Sequence, residues 1–223
     1  MSEKQEIFNL IGGQVKFRRS FYNPTSDAVW LAAFADAKKG GTILDVGIGT
    51  GGAALCLSAR RPDLKITGID ISEKMIEECK LNTALNNSNI ELITGNILNM
   101  KTARTFDSVI TNPPYFIGTK ARHDAHHNAD IRAWTESCLR RVRPHGRIYM
   151  ILDVIQADIA ISALKDRKAG EINIIPLFGS KKTAERILLS ARLGVKTGMT
   201  FHAGFSMNDE RVLRYGASIL DLI

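Results

Sequence analysis

The chain has 223 residues, 44% of them hydrophobic and 24% charged, enough to bury a core without disulfide or metal staples and unlike a disordered segment. Its longest apolar runs are strand-length, such as Ile148 to Leu152, so no bilayer-spanning segment is expected, and the charged stretch from Met1 to Glu6 is unlike a secretory signal. Thirty basic residues against 23 acidic ones give a net charge of +7, with 13 basic and 12 acidic in residues 1–110 but 17 and 11 in residues 111–223. That one-sided excess suits a polyanionic partner such as nucleic acid, and on charge alone it equally suits a soluble basic protein with scattered lysines.

Asn23-Pro-Thr-Ser-Asp27 offers N-cap chemistry for a helix filled by Ala28 to Phe34 and stopped by Gly40-Gly41. Ile43 to Val46 reads as a strand that breaks into Gly47-Ile-Gly-Thr-Gly-Gly52, and Ala53 to Arg61 as a helix halted by Pro62. Lys65 to Asp70 is a second strand, and Ser72 caps a helix running to about Asn86. Further strands are expected at Ile90 to Thr94, Ser108 to Thr111 and Arg147 to Leu152, with helices over Arg132 to Val142 and Ile155 to Lys168. Ile172 to Phe178 and Arg186 to Leu193 follow as strands with no helix between them, which implies an antiparallel addition to an otherwise parallel sheet. No linker or repeat divides the chain, so residues 1–223 read as one domain, with 1–40 a helical, substrate-side extension and 41–223 the core. Cys56, Cys79 and Cys138 form no CxxC pair and read as buried thiols in a reducing compartment, which places the protein in the cytoplasm.

The glycine run sits where a strand turns into a helix, where backbone must approach a ligand closely. Gly47, Gly49 and Gly52 satisfy GxGxxG, and Asp70 stands at the end of the next strand, able to accept from both hydroxyls of a ribose. These features leave open which adenosine-bearing cofactor binds. Asp45, two positions before the first glycine, can meet the amino group of a methionine moiety, which favours S-adenosylmethionine over a nicotinamide. At the end of the fourth strand stands Asn112-Pro113-Pro114-Tyr115. The Asn112 amide oxygen and the Pro113 carbonyl are two acceptors that match the two donors of an exocyclic amine, and the paired prolines hold them in place. Tyr115 adds an aromatic face for a planar ring. An amine held this way can direct its lone pair at a sulfonium methyl without a strong base at the outset.

With those residues in view, the chain resembles the Rossmann-like S-adenosylmethionine-dependent methyltransferases over nearly its whole length. The resemblance implies an α/β fold: a Rossmann-like, mostly parallel seven-stranded sheet with helices on both faces and an antiparallel C-terminal strand. Within that superfamily Asn112-Pro-Pro-Tyr115 is the signature of amino-group methylation. More narrowly the chain resembles the bacterial valine-tRNA adenine-N6 methyltransferases, which act on the adenosine at position 37 beside the anticodon. The narrower match rests on Tyr22 to Phe34, on Phe116 with Ala121-Arg122 beyond the catalytic loop, on Pro176 to Arg186 and on Phe205 to Arg214. It implies S-adenosylmethionine contacts at Asp45, Gly47, Gly49 and Gly51, at Asp70 and Ile71, and at Asn112. It implies others at Ser26 and Asp27, a Thr/Ser-Asp pair that meets the cofactor. Relatives carry Gly-Asp-Ile after the third strand where this chain has Gly95-Asn96-Ile97; Asn96 can still accept from an adenine amine, beside Ile97, but without charge.

Phe116, Lys120 and Arg122, together with Arg18 and Arg19, are candidate contacts to an RNA substrate, most plausibly tRNA, against the alternatives of a solvated loop and a charged strand edge. His123, His126 and His127 lack a framed fourth ligand, so no metal is expected. Arg140, Arg141 and Arg143 read as helix-end cations, and Trp30 and Trp134 as core. No membrane contact or obligate protein partner is implied. The same chemistry fits other acceptors: guanine N2 of rRNA, adenine N6 of DNA, or a protein glutamine amide. A nicotinamide oxidoreductase would leave Asn112 to Tyr115 unexplained, and a non-catalytic nucleotide-binding module would not need them.

Overall fold

The structure, a computed structural model, describes residues 6–114 and 131–223. Tyr115, Phe116, Lys120, Arg122 and the histidines at 123, 126 and 127 lie outside the described residues. The chain begins with an antiparallel hairpin, β1 (Ile7–Leu10) and β2 (Val15–Arg18), followed by α1 (Ser26–Phe34). Residues 1–40 therefore hold a hairpin as well as the expected helix. Its four-residue strands alternate correctly, with Val15 and Phe17 buried and Lys16 exposed, but the pattern is too short to stand out in sequence.

From there strands and helices alternate: β3 (Thr42–Val46), α2 (Gly52–Arg60), β4 (Lys65–Asp70), α3 (Glu73–Leu85), β5 (Ile90–Thr94) and β6 (Phe106–Thr111). Next come α4 (Ile131–Leu139), β7 (Val142–Asp153), α5 (Ala157–Asp166), β8 (Ala169–Phe178) and β9 (Arg186–Leu193). The short elements β10 (Met199–Phe201), β11 (Phe205–Ser206) and α6 (Glu210–Leu213) complete the described chain. Helix α3 begins as its sequence signals, since the Ser72 hydroxyl accepts from the Met75 N–H. Helix α4 stops at Leu139, earlier than expected, because Val142 already pairs with Phe106 as the start of β7.

The main sheet runs β10-β8-β9-β7-β6-β3-β4-β5. Neighbours from β7 to β5 are parallel, and β9 is antiparallel to both β7 and β8, as the missing helix between the last two long strands implied. The sheet has nine strands instead of seven because β10 and β11 both pair with β8. These additions are two and three residues long, and all of β10 is exposed, so neither carries a hydrophobic period.

Successive residues of the central strands enter opposite cores. Ile43, Ile110, Tyr149, Ile151 and Leu188 pack with α1 and α2 on one face, whereas Leu44, Val109, Ile148, Met150 and Leu189 pack with α4 and α5 on the other. Both faces are thus covered by helices, which is why the strands read as continuous apolar runs. Cys56, Cys79 and Cys138 are buried free thiols within these cores, and burial pushes the first two up to about 12.

At the carboxyl edge of the sheet, Arg186 at the start of β9 pairs with Asp27 of α1 at 3.2 Å and with Asp153 of β7 at 3.2 Å. It thereby joins the start of α1 to two strands beside the opening where the functional residues gather. Arg186→Ala leaves the Asp27 carboxylate, 4% exposed, without this guanidinium. It is expected to lower the unfolding free energy by about 2 kcal/mol, measured by urea titration, whereas Arg19→Ala at the exposed Glu6 pair changes it by less than about 1 kcal/mol.

Candidate active site

Four loops at the carboxyl ends of β3, β4, β5 and β6 enclose a cavity of about 730 Å³, walled also by Trp134 of α4 and by Tyr22, Pro24 and Thr25 ahead of α1. This is the edge at which open α/β sheets bind ligands. The loop after β3 is held from beneath: the Gly47 and Ile48 N–H groups both donate to the Ile69 carbonyl, at 2.8 and 3.1 Å. Asp70 then fastens its crest. One carboxylate oxygen accepts from the Gly49 N–H at 2.9 Å and the other from the Ser72 N–H at 2.9 Å. Gly49 has φ +55, a conformation that side chains avoid. Gly52 serves packing instead, because a Cβ there would lie 2.7 Å from that of Pro24 and 2.9 Å from that of Ala28.

Asp45, the penultimate residue of β3, stands in the cavity wall at 2% exposure. The Ala54 N–H donates to its carboxyl, yet Oδ2 has no hydrogen-bond partner. Burial, with the neighbouring Asp70 adding to it, pushes this carboxyl from the ordinary 3.8 up to about 7. The Thr50 hydroxyl, also 2% exposed and on the same wall, is likewise unpartnered. An acceptor and a hydroxyl left unsatisfied beside a glycine loop fit the ammonium and carboxylate of an amino acid moiety. S-adenosylmethionine carries that moiety, together with a ribose for Asp70 and an adenine for the apolar side chains Ile71, Met75, Ile97 and Leu98.

Of the other residues singled out in the sequence, Gly47, Asn96, Asn112 and Pro114 also line the cavity, and Pro113 is buried behind Asn112. The Asn96 amide oxygen caps the short turn Ile97–Asn99 by accepting from the Leu98 N–H at 2.9 Å, so a ligand amine would have to share that oxygen. Gly51, Ser26 and Asp27 do not line the cavity. Gly51 opens α2 against Cys79 and Leu55, and Asp27 pairs with Arg186, while Thr25 and Pro24 occupy the wall ahead of α1. Arg18 and Arg19 lie at the end of the hairpin, where Arg19 pairs with Glu6 at 3.0 Å.

Both tryptophans pack with the core, as expected, but Trp134 also walls the cavity. Trp30 is fully buried and donates to the Met207 carbonyl, but Trp134 stands in the cavity wall against Gly47. Its Nε1 donates to the Thr111 hydroxyl at 3.0 Å, which donates to the Val46 carbonyl at 2.8 Å, bracing β6 against β3 beside Asn112. Tyr22 was also missed as a wall residue; its ring lies over Gly49, and burial raises its phenol, with Asp27 and Asp70 adding to the effect. Trp134 belongs to no local motif and Tyr22 only opens the segment that resembles the family, so it is the packing that puts both on the wall. Among the described residues no group of His, Cys, Asp or Glu has the arrangement of a metal site.

The tRNA1(Val) (adenine(37)-N6)-methyltransferase of Pseudoalteromonas translucida is 35% identical over 46% of this chain and 47% of that protein. The corresponding protein of Haemophilus influenzae strain PittEE is 30% identical over 74% of this chain and 75% of its own length. The chain thus spans about half of the first relative and three quarters of the second. A crystal structure from Agrobacterium tumefaciens, described as a predicted O-methyltransferase, superposes with a TM-score of 0.69 at 22% identity, over 82% of this chain and 88% of that one. Structures of S-adenosylmethionine-dependent methyltransferases share the fold. Residues 25–164, which include the glycine loop, Asp70 and Asn112, match the family profile of the methyltransferase small domain, and the chain belongs to that family of S-adenosylmethionine-dependent methyltransferases.

Proposed function

We propose that the protein transfers the methyl group of S-adenosylmethionine to the N6 amine of an adenine in tRNA, the adenosine at position 37 of a valine tRNA. The observation that carries this reading is that Asn112 and Pro114 wall the same cavity as Asp45, the glycine loop and Asp70. An amine-gripping element and a cradle suited to the cofactor therefore face one space. The names of the relatives support the choice of acceptor, and the basic excess of residues 111–223 suits a nucleic-acid backbone.

When bound, the cofactor supplies an electrophilic methyl on sulfonium sulfur. Asp45 and Thr50 hold its amino acid end, Asp70 its ribose, and Ile71 and Ile97 its adenine, with Asn96 accepting from the adenine amine. An unpaired anticodon-loop base costs little to extrude. Asn112 and the Pro113 carbonyl accept the two amine hydrogens, which fixes the nitrogen lone pair toward the methyl carbon, and Tyr115 stacks on the ring. The proton displaced from the amine by methylation would leave to water. Phe116, Lys120, Arg122, Arg18 and Arg19 contact the RNA around the target base. The same grip fits guanine N2, DNA adenine N6 or a glutamine amide, which the acceptor assay separates.

Purified protein incubated with unmodified total tRNA and S-adenosylmethionine is expected to produce N6-methyladenosine, measured by mass spectrometry of the nucleosides. Asn112→Ala is expected to lower the rate by about 100-fold or more while cofactor affinity stays within about threefold. Methylation of rRNA, DNA or protein with none of tRNA would overturn the acceptor assignment.

Asp45 adds a pH dependence. Its ionised form is the one that accepts an ammonium, so affinity for S-adenosylmethionine, followed by calorimetry, is expected to rise through pH 7 and level off above it. Asp45→Asn flattens that rise and weakens binding at pH 8. The stability effect has the opposite sign. A carboxyl raised in the fold binds its proton more tightly than in the unfolded chain, so the empty protein loses stability as pH climbs from 3.8 to about 7. Without cofactor, Asp45→Asn is therefore expected to melt higher than the parent at pH 8 and close to it at pH 4.

A further inference from the structure

Asn82 lies in the third turn of α3 and is fully buried, an unfavourable place for a helix asparagine unless its amide is satisfied. Both ends of the amide are used, in opposite directions. Its Nδ2 donates to the carbonyl of Thr50, in the glycine loop, at 3.0 Å. Its Oδ1 accepts from the Arg18 N–H, at the end of β2, at 3.1 Å. A backbone N–H can only donate and a carbonyl only accept, so the flipped amide would lose both bonds.

The segment from Arg18 onward leads directly onto the cavity. Ser20 and Asn23 close it into a turn, with the Ser20 N–H donating to Asn23 Oδ1 at 3.1 Å and Asn23 Nδ2 to the Ser20 carbonyl at 3.3 Å. Beyond Arg18 the chain lays the Tyr22 ring over Gly49 and Pro24 against Gly52. Two parts of the cavity wall, the glycine loop and the segment 20–25, thus hang from one side chain. Asn86, the C-cap one turn beyond, reaches the hairpin and its own helix but not the loop: its amide accepts from the Lys16 N–H at 2.8 Å and donates to the Lys16 and Asn82 carbonyls, each at 2.7 Å.

We propose that Asn82 is a positioning residue for cofactor binding, holding the glycine loop and the N-terminal hairpin in fixed register so that Tyr22 and Pro24 complete the cradle. The inference rests on the reading that this cavity takes S-adenosylmethionine. It makes the hairpin part of the cofactor site. The difference between two asparagines on one helix provides the test, because Asn86 stabilises the hairpin without touching the loop.

Asn82→Ala and Asn86→Ala are compared for melting temperature and, by calorimetry, for S-adenosylmethionine affinity. Both variants are expected to melt lower. Only Asn82→Ala weakens binding, by about tenfold, the size set by losing its bond to the Thr50 carbonyl of the loop, and Asn86→Ala binds as the parent does. A second measurement needs no variant. In the parent, added S-adenosylmethionine is expected to slow hydrogen exchange of the Arg18 amide, held by Asn82, more than that of the Lys16 amide, held by Asn86. Equal affinities in the two variants, or equal slowing of the two amides, overturn the proposal. A parent protein that does not bind S-adenosylmethionine at all overturns the cofactor reading along with it.

Discussion

The turn from β3 into α2 is the constraint around which this molecule is arranged. Five residues must reverse from strand to helix while presenting backbone to a ligand, and such a turn has little hydrogen bonding of its own. It is therefore fastened from outside. The Ile69 carbonyl takes two of its N–H groups, Asp70 takes a third, and Asn82 donates to its Thr50 carbonyl. All three anchors belong to β4 or α3, so the second βα unit scaffolds the first.

That arrangement explains why costly groups are tolerated in one small region. Asp45 sits buried without a cation, Asp70 stands nearby, and Thr50 keeps an unused hydroxyl. The unpartnered Asp45 oxygen and Thr50 hydroxyl are unfavourable in the empty protein and, on the proposed reading, become favourable once a zwitterionic amino acid group arrives. The cost resides in polar groups on a rigid edge, whose conformation the parallel strands have already fixed. Trp134, Thr111 and Val46 form a second brace beside Asn112, so the glycine loop and the end of β6 share β3 as their common support.

Much of this was legible in the chain because it is encoded locally. Strand limits at Lys65–Asp70, Ile90–Thr94 and Arg186–Leu193 follow from apolar runs bounded by polar or breaking residues, and the Ser72 cap from its hydroxyl. Asp45, Asp70 and Asn112 were identifiable as wall residues because each occupies a fixed place relative to a strand end. Less visible were elements whose stability is borrowed. The hairpin and the short strands β10 and β11 are too brief for a hydrophobic period and exist because neighbours hold them. Ser26 and Asp27 illustrate the other kind of departure: they stand beside the cavity in sequence, but Asp27 turns to Arg186, a partner 159 residues away.

By itself, then, the sequence determined the α/β alternation, the antiparallel return of the last long strand and the acids and glycines at the strand ends, since each depends on residues within a few positions of one another. Tertiary structure alone decided that Trp134 packs against one core while also walling the cavity, that Tyr22 lies over Gly49 and that Asn82 ties the loop to the hairpin. Those outcomes depend on contacts between residues tens of positions apart, where the direction of one side chain is settled by the packing of several elements and no local pattern records it.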